Sequence, residues 1–358
     1  MPGSDAPPSR AGQASAPEII TAGRLTDAER QDVLRLVAAA AEADGVGPLS
    51  EHVMLHLRYA GDPRSVDLLL LSHGEVAGYA HLDQPDPAEG PSGELVVHPA
   101  HRRQGLGLRL TRALVAEAGP RQLRLWAHGD LEAAAGLAAA AGFGRVRALW
   151  QMRRSLRPEL PPPRLAGGIT VRTFVTGQDE DEWIGLNARA FASHPEQGAW
   201  TREDLDVRER EPWFDPDGFF LAVRDGRLVG FHWTKVHSQA GDAAGQAQGG
   251  EGAIGEVYVV GVDPAERGTG LGRALTLVGL RHLRSRGLSQ VMLYVDESNL
   301  AAISLYTSLG FTRWHTDVMF AHPAAAGAPT PGGDTPIAAG DTPTPGGDTP
   351  TPSGDPRA

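Results

Sequence analysis

Apolar positions along the chain switch between a helical and a strand period, and they do so twice in the same order. Thr26-Asp27-Ala28-Glu29 forms a capping box. Behind it Val33, Leu34, Val37 and Ala41 recur at helical spacing and predict a helix with one buried stripe. After a Gly- and Pro-bearing loop over residues 44–48, a shorter helix opens near Ser50. Leu68 to Leu71 and Val76 to Ala80, on either side of His73-Gly74, predict a hairpin. Leu95-Val96-Val97 is the next strand, and Leu106, Leu110, Ala113 and Leu114 mark one face of the helix after it. Trp126 lies on a strand, an alanine-rich helix follows, and Gly142-Phe143 opens a last strand.

The second half repeats this order. Asp225-Gly226 and Gly230-Phe231 match His73-Gly74 and Gly78-Tyr79 at a constant separation. Val257, Val259, Val260 and Val262 form a β-branched strand that Pro264 ends. Leu271, Leu275, Val278 and Leu283 then return to helical spacing, and Gly310-Phe311 repeats Gly142-Phe143. The separation of matched positions grows because the second copy carries a polar, Gly/Ala/Gln-rich insertion over residues 237–252. The pattern predicts a duplicated α/β unit with a mixed (α+β) sheet. Its copies span residues 18–155 and 169–322, joined by a linker over 156–168 that Pro161-Pro162-Pro163 stiffen. The ends, 1–17 and 323–358, are rich in Pro, Gly, Ser and Thr and are expected to be disordered.

Composition narrows the function more than the fold. At 358 residues each copy can bury its own core, and a net charge of −11 argues against nucleic acid or an anionic membrane as the main partner. No apolar run approaches a spanning helix and the N-terminus lacks a signal-peptide core, so a cytoplasmic protein, as a monomer, is the expectation. With no cysteine there is neither a disulfide frame nor a thiolate nucleophile. Lys235 is the only lysine among 33 basic residues. Glu51, His52 and His56 lie close together on the predicted short helix, but two helical histidines without a third ligand are more often structural, and no metal is expected.

The candidate chemistry sits at two strand–loop–helix junctions. Arg267, Gly270 and Gly272 repeat the spacing of Arg102, Gly105 and Gly107. A glycine loop entering a helix presents backbone N–H groups at a positive helix terminus, which suits an anion. A P-loop would need Gly-Lys-Ser/Thr here, and the dinucleotide fingerprint needs a complete G-x-G-x-x-G; neither is present. The copies differ where protons would move. Counted from the loops and from Gly-Phe, Glu256 falls against Pro91, Asn299 against Leu131 and Tyr306 against Ala138. Only the second copy keeps groups able to act as base and acid. In a regular strand Glu256, Tyr258, Val260 and Val262 would share a face, with Gly261 a candidate bulge. Asn299 and Tyr306 would share a helix face.

The Arg-x-x-Gly-x-Gly loops, with Tyr294-Val295-Asp296 leading to the helix and its Leu309-Gly310-Phe311 exit, resemble the GNAT acyltransferase superfamily, in which such loops bind the coenzyme A pyrophosphate. A closer resemblance, to the mycothiol synthases, tandem-GNAT acetyltransferases of actinobacteria, covers nearly all of residues 18–322. It is carried by Glu94-Leu95-Val96-Val97-His98-Pro99, Trp126-Ala127-His128-Gly129, His194-Pro195-Glu196-Gln197-Gly198, Trp213-Phe214-Asp215-Pro216-Asp217-Gly218 and Gly230-Phe231-His232-Trp233-Thr234-Lys235-Val236. The resemblance implies transfer of the acetyl group from acetyl-CoA, as co-substrate, to the cysteinyl amine of cysteinyl-glucosaminyl-inositol. It implies acceptor contacts at Glu51, Glu196, Lys235, Glu256 and Tyr294. It implies acetyl-CoA contacts in the first copy at Leu95, Val96, Val97, Arg103, Gln104, Gly105, Leu106, Gly107 and Leu108. In the second copy they would be Val260, Gly261, Val262, Arg267, Gly268, Thr269, Gly270, Leu271, Gly272 and Arg273. The start of the next helix would add Asn299, Leu300, Ala301, Ala302, Ile303 and Ser304. Glu256 is then the candidate base and Tyr306 the candidate acid. Two other readings fit the loops: a non-catalytic acetyl-CoA-binding protein, and a tandem acetyltransferase of another amine such as an aminoglycoside or a protein N-terminus. Retention of Glu256, Asn299 and Tyr306 speaks against the first, and only an acceptor assay separates the second.

Overall fold

The computed structural model describes residues 16–59, 64–84, 90–192, 195–237 and 252–324; the expected tails, but for 16–17 and 323–324, and nearly all of the polar insertion lie outside them. The first half runs β1 (Glu18–Ala22), α1 (Asp27–Asp44), α2 (Glu51–Tyr59), β2 (Val66–Ser72), β3 (Glu75–Asp83), β4 (Ser92–Val97), α3 (Leu106–Ala118), β5 (Leu123–Ala127), α4 (Glu132–Ala140) and β6 (Gly144–Ser155). The second runs β7 (Ile169–Thr173), α5 (Glu180–Ala190), α6 (Pro195–Gly198), α7 (Arg202–Glu209), β8 (Phe219–Arg224) and β9 (Arg227–His237). It continues with β10 (Ile254–Val262), α8 (Leu271–Ser285), β11 (Gln290–Asp296), α9 (Leu300–Ser308) and β12 (Thr312–His322). The capping box at Thr26 forms as expected, with Glu29 returning the bond. The buried stripe of α1 is Val33, Leu36, Val37 and Ala40; Leu34 and Ala41, expected in it, are only half-buried at its edges.

All twelve strands join one sheet in the order β1-β2-β3-β4-β5-β12-β6-β11-β10-β9-β8-β7. Two strands are exchanged between the halves. β6 leaves the first half and pairs with β11, Leu149 opposite Asp296, while β12 leaves the second and pairs with β5, Val318 opposite Ala127. The linker is drawn into the second half as well, with Leu156 and Leu160 buried among Leu277, Leu280 and Leu283. Helices cover both faces. On one, α1 and α2 bury Val33, Leu36, Val53 and Leu57 against Leu69 and Tyr79, and α5 buries Trp183 and Leu186 against Phe219 and Trp233. On the other, α3 and α8 supply Leu110, Leu114, Leu277 and Leu280.

Two departures from regular pairing shape the functional face. The parallel pairs open after a few residues: β4 meets β5 only at Ser92 and Gly93, and β10 meets β11 only from Gly255 to Val257. Beyond those points Glu94–Val97 and Tyr258–Val262 have no ladder partner on that side. The second departure is a bulge in β10 between Val257 and Val259, which leaves Tyr258 as the extra residue opposite β9. The bulge is therefore not at Gly261, which pairs regularly with Phe231. Gly261 is required for space, since a Cβ there would stand 2.4 Å from the Phe231 ring. The extra residue also resets the faces. Val257, Val260 and Val262 pack toward α8, while Tyr258 and Val259 pack with the aromatic core on the opposite side. Val260 and Val262 thus do not share the face of Glu256. It shifts the comparison of the halves by one: Glu256 lies opposite Lys235 as Ser92 lies opposite Asp83, so the counterpart of Glu256 is Ser92, not Pro91.

Candidate active site

The two glycine loops fold alike. Each follows a 3-10 turn, Pro99–His101 or Pro264–Glu266, and each has two residues in the left-handed region, Arg103 and Gly105 in one, Gly268 and Gly270 in the other. Gly105 and Gly270 are the N-caps of α3 and α8, and neither supplies a side chain to the first turn, which leaves those N–H groups for an anion. Arg103, Gln104, Thr269 and Arg273 are exposed at the rims, whereas Leu106 and Leu271 are buried anchors. The first arginine of each motif is already engaged. Arg102 grips Asp44 with both nitrogens, at 2.6 and 2.8 Å, and Arg267 reaches the Ala190 carbonyl at 3.2 Å. They brace the loops to α1 and α5. Leu95 to Val97 and Val260 to Val262 lie on the open strand edges beside these loops.

Between the halves, on the α2 and α7 side of the sheet, lies a cavity of about 360 Å³. Its walls include Glu51 and His128 from the first half and Lys235, His237, Glu256, Tyr258, Tyr294 and Asp317 from the second. Four of the five expected acceptor residues, Glu51, Lys235, Glu256 and Tyr294, therefore meet in one place. The fifth, Glu196, falls on α6, and its side chain lies outside the described residues.

The cavity is held by charge pairs that cross between the halves. Lys235 Nζ donates to Glu51 Oε1 at 2.6 Å and sits over the Trp213 ring at 4.4 Å. Arg208 on α7 donates to the Tyr258 hydroxyl at 2.8 Å and stacks on Trp200 at 3.9 Å. Burial alone would raise the Glu51 carboxyl, but Lys235 and then Arg208 outweigh it and hold it below its ordinary value. Burial drives the Tyr258 and Tyr294 phenols up, so both stay protonated. Tyr294 accepts from Gln151 Nε2 at 2.8 Å, and Gln151 in turn accepts from Arg153 at 2.7 Å. Glu256 is buried, and His237 Nε2 lies 2.7 Å from its Oε2. At the β12 end His128 Nδ1 is 3.1 Å from Asp317, whose other oxygen accepts the Gly129 N–H at 2.9 Å. Burial opposes the charged ring of His128, yet Asp317 and Glu94 hold its pKa at about 10.

Tyr306 and Asn299 stand apart from the cavity wall. Asn299 is the N-cap of α9, outside its helical residues, and accepts the Ala302 N–H at 3.1 Å, so it does not share a helix face with Tyr306. Leu300, Ala301 and Ser304 are exposed, while Ala302 and Ile303 lean on the core. Tyr306 packs edge-on against Phe311 at 5.7 Å, and burial pushes its phenol up to about 12. The matched positions of the first half, Leu131 as N-cap of α4 and Ala138 on that helix, carry no polar group.

The histidines of α2 find partners on the sheet that no spacing in the sequence announces. His52 lies 3.2 Å from Asp83, His81 links Asp83 to Asp67 at 3.1 and 2.9 Å, and His56 lies 3.1 Å from Asp67. Two triads of these atoms, His52-His81-Asp83 and His56-Asp67-His81, are close enough together to hold a metal ion; the His–Asp contacts in them are hydrogen bonds or ion pairs, and His81 also meets the His52 and His56 rings. Sequence reasoning also missed Arg208, Tyr258, His237, His128 and Asp317, which come from separate elements. For His128 the only signal was Trp126-Ala127-His128-Gly129; Asp317 had none.

Comparison with known proteins agrees with this geometry. The model of the acetyltransferase (GNAT) family matches residues 34–143 and 183–311, once in each half. A mycothiol acetyltransferase of Thermobispora bispora is 62% identical over 297 residues, which is 83% of this chain and 97% of that one. Among solved structures, a GCN5-related N-acetyltransferase from Sphaerobacter thermophilus is 27% identical with a TM-score of 0.62, covering 87% of this chain and 97% of its own. A tandem GNAT protein from the clavulanic acid biosynthesis pathway shares the fold with a TM-score of 0.64, 24% identity and coverage of 86% and 99%. Two matched loops, two opened strand pairs and this degree of identity place the chain in the mycothiol acetyltransferase family of tandem GNAT acetyltransferases.

Proposed function

We propose that the chain transfers the acetyl group of acetyl-CoA to the cysteinyl amine of cysteinyl-glucosaminyl-inositol, the last step in making mycothiol, as a monomer in the cytoplasm. The observation that carries this reading is the convergence of Glu51, Lys235, Glu256 and Tyr294 on one cavity beside the opened edge of β10. A cavity of this size suits a cysteinyl pseudodisaccharide, and its carboxylates suit an ammonium and hydroxyls. The pyrophosphate of acetyl-CoA would rest on the Arg267–Gly272 loop and the start of α8, with its pantetheine along Val260 to Val262. Backbone N–H groups on that edge would stabilise the oxyanion as the amine attacks, an effect of several kcal/mol in a dry site. Glu256 would take one ammonium proton and pass it to solvent. The N–C bond forms; as the C–S bond breaks, the nitrogen gives its second proton to Glu256, and Tyr306 would protonate the departing thiolate and regain a proton from solvent.

In the first half the same loop and open edge support acetyl-CoA binding, while Ser92, Leu131 and Ala138 offer no comparable base or phenol. That half would bind acetyl-CoA without transferring from it. The deciding experiment measures acetyl-CoA turnover with the desacetyl precursor beside an aminoglycoside and an N-terminal peptide. The reading expects the precursor to be favoured by orders of magnitude in kcat/KM, and equal rates on all three amines would overturn it.

A further inference from the structure

Lys235 lies directly opposite Glu256 in the β9–β10 ladder, yet its ammonium goes to Glu51 at 2.6 Å. The partner of Glu256 is instead His237, the last residue of β9, whose Nε2 lies 2.7 Å from Oε2. Both side chains are nearly enclosed, at 11% and 8% exposure, and both line the cavity. We propose that His237 is a positioning residue for acetyl transfer: its N–H holds one oxygen of the Glu256 carboxylate so that the other receives the proton of the acceptor ammonium. The inference rests on Glu256 being the base, as read above.

The physical case is one of orientation and charge. A glutamate side chain has several rotamers, and a base that must meet a proton within ~3 Å of a nitrogen loses rate when those rotamers are free. An imidazole N–H at 2.7 Å fixes one oxygen of the carboxylate, while the ammonium on the same strand is turned to Glu51. A paired ammonium favours the ionised carboxylate and makes it a poorer base. The routing of Lys235 to Glu51 and of His237 to Glu256 keeps these roles separate. The ladder gives the first half Asp83 and Ser92 where the second has Lys235 and Glu256, so there is no carboxylate on β4 at this position to orient. The ammonium loses two protons in becoming an amide: the first goes to Glu256 and on to solvent before attack, and the second goes to Glu256 as the tetrahedral intermediate collapses. The thiolate takes its proton from Tyr306, which regains one from solvent, and His237 keeps its own throughout.

The test uses the full chain, acetyl-CoA and the desacetyl precursor. His237→Ala should lower kcat ~10–100-fold while KM for both substrates stays within about twofold. His237→Gln, which keeps an N–H donor at similar reach, should recover most of the loss. In a Glu256→Gln background, His237→Ala should cost little more, because the carboxylate through which it acts is gone. That cycle separates positioning from a structural role, which would lower rate or melting temperature equally in both backgrounds. Wild-type kcat for His237→Ala, or the same loss with and without Glu256, overturns the inference. So does a His237→Gln variant as slow as His237→Ala. A wild-type chain that leaves the precursor unacetylated overturns the functional reading itself, and a fully active Glu256→Gln overturns the choice of base.

Discussion

Glu256 is buried on β10 beside the His237 imidazole, and the effect of neutralising it depends on pH. Glu256→Gln keeps size and hydrogen bonding but cannot accept the ammonium proton. Turnover at pH 7 should fall ~10²–10⁴-fold. An α-amino group titrates near pH ~8, so more of the acceptor is already a free amine as pH rises. The ratio of wild-type to variant rates should therefore shrink between pH 7 and 9; a ratio that stays flat moves the base elsewhere, Glu196 first. Tyr306 is held up to about 12 by burial, so its hydroxyl is protonated at neutral pH and able to donate. Tyr306→Phe should lower kcat less than Glu256→Gln does, since a coenzyme A thiol can leave partly unaided. Calorimetry should find acetyl-CoA binding unchanged, and a large loss of affinity would make the ring a packing residue only.

At the level of elements, the position of Glu51 depends on how α2 is fixed to the sheet, and His52, His56, His81, Asp67 and Asp83 do much of that fixing. Burial works against charge on His81, but Asp67 and Asp83 outweigh it and raise its pKa to about 9. A histidine raised in this way contributes stability that is complete below ~6.5 and lost as pH climbs through 9. His232 has the opposite sign. It is buried against α8, its Nδ1 2.8 Å from the Leu275 carbonyl, and burial lowers its pKa to about 4. Its stability is present above ~6.5 and falls away as pH drops toward 4. Thermal melts across pH should therefore fall at both ends, with His81→Leu reducing the alkaline fall to the part that His128 carries and costing on the order of 3 kcal/mol at neutral pH. A melting temperature for His81→Leu equal to wild type would show that α2 is held by its apolar face alone. Gly261 gives a second, sharper case: Gly261→Ala drives a methyl into the Phe231 ring and should cost about 1–3 kcal/mol.

For the molecule as a whole, the exchange of β6 and β12 makes each half depend on the other for a central strand. Cutting the chain in the linker would strip β5 of β12 and β11 of β6, leaving each held by only a short parallel pairing, and such open edges associate. Residues 16–155 and 156–324 expressed separately should aggregate, and co-expression should restore a soluble complex with acetyltransferase activity. Two well-behaved fragments, each with a cooperative melt, would contradict the interdependence. Deleting residues 325–358 should change neither melting temperature nor turnover, because that segment is too poor in large apolar side chains to bury much surface.

Much of this was legible without coordinates. Hydrophobic periods, the capping box and the matched glycines gave the elements, the duplication and both glycine loops, because these features depend on residues near one another in sequence. The residues gathered in the cavity were reached through resemblance rather than spacing, since Glu51 and Lys235 stand far apart in the chain and meet only across the halves. Three matters were decided in the folded molecule alone. The bulge at Tyr258 follows from pairing with β9 and moves Val260 and Val262 to the α8 face, which no alternation of valines reveals. The pairings of His237 with Glu256 and of His81 with two aspartates need strands laid side by side. The strand exchange depends on which edge each last strand meets, and β6 and β12 carry patterns similar enough that their sequences do not specify it. Local order was set by local chemistry; the site was set by register and topology, which only long-range packing fixes.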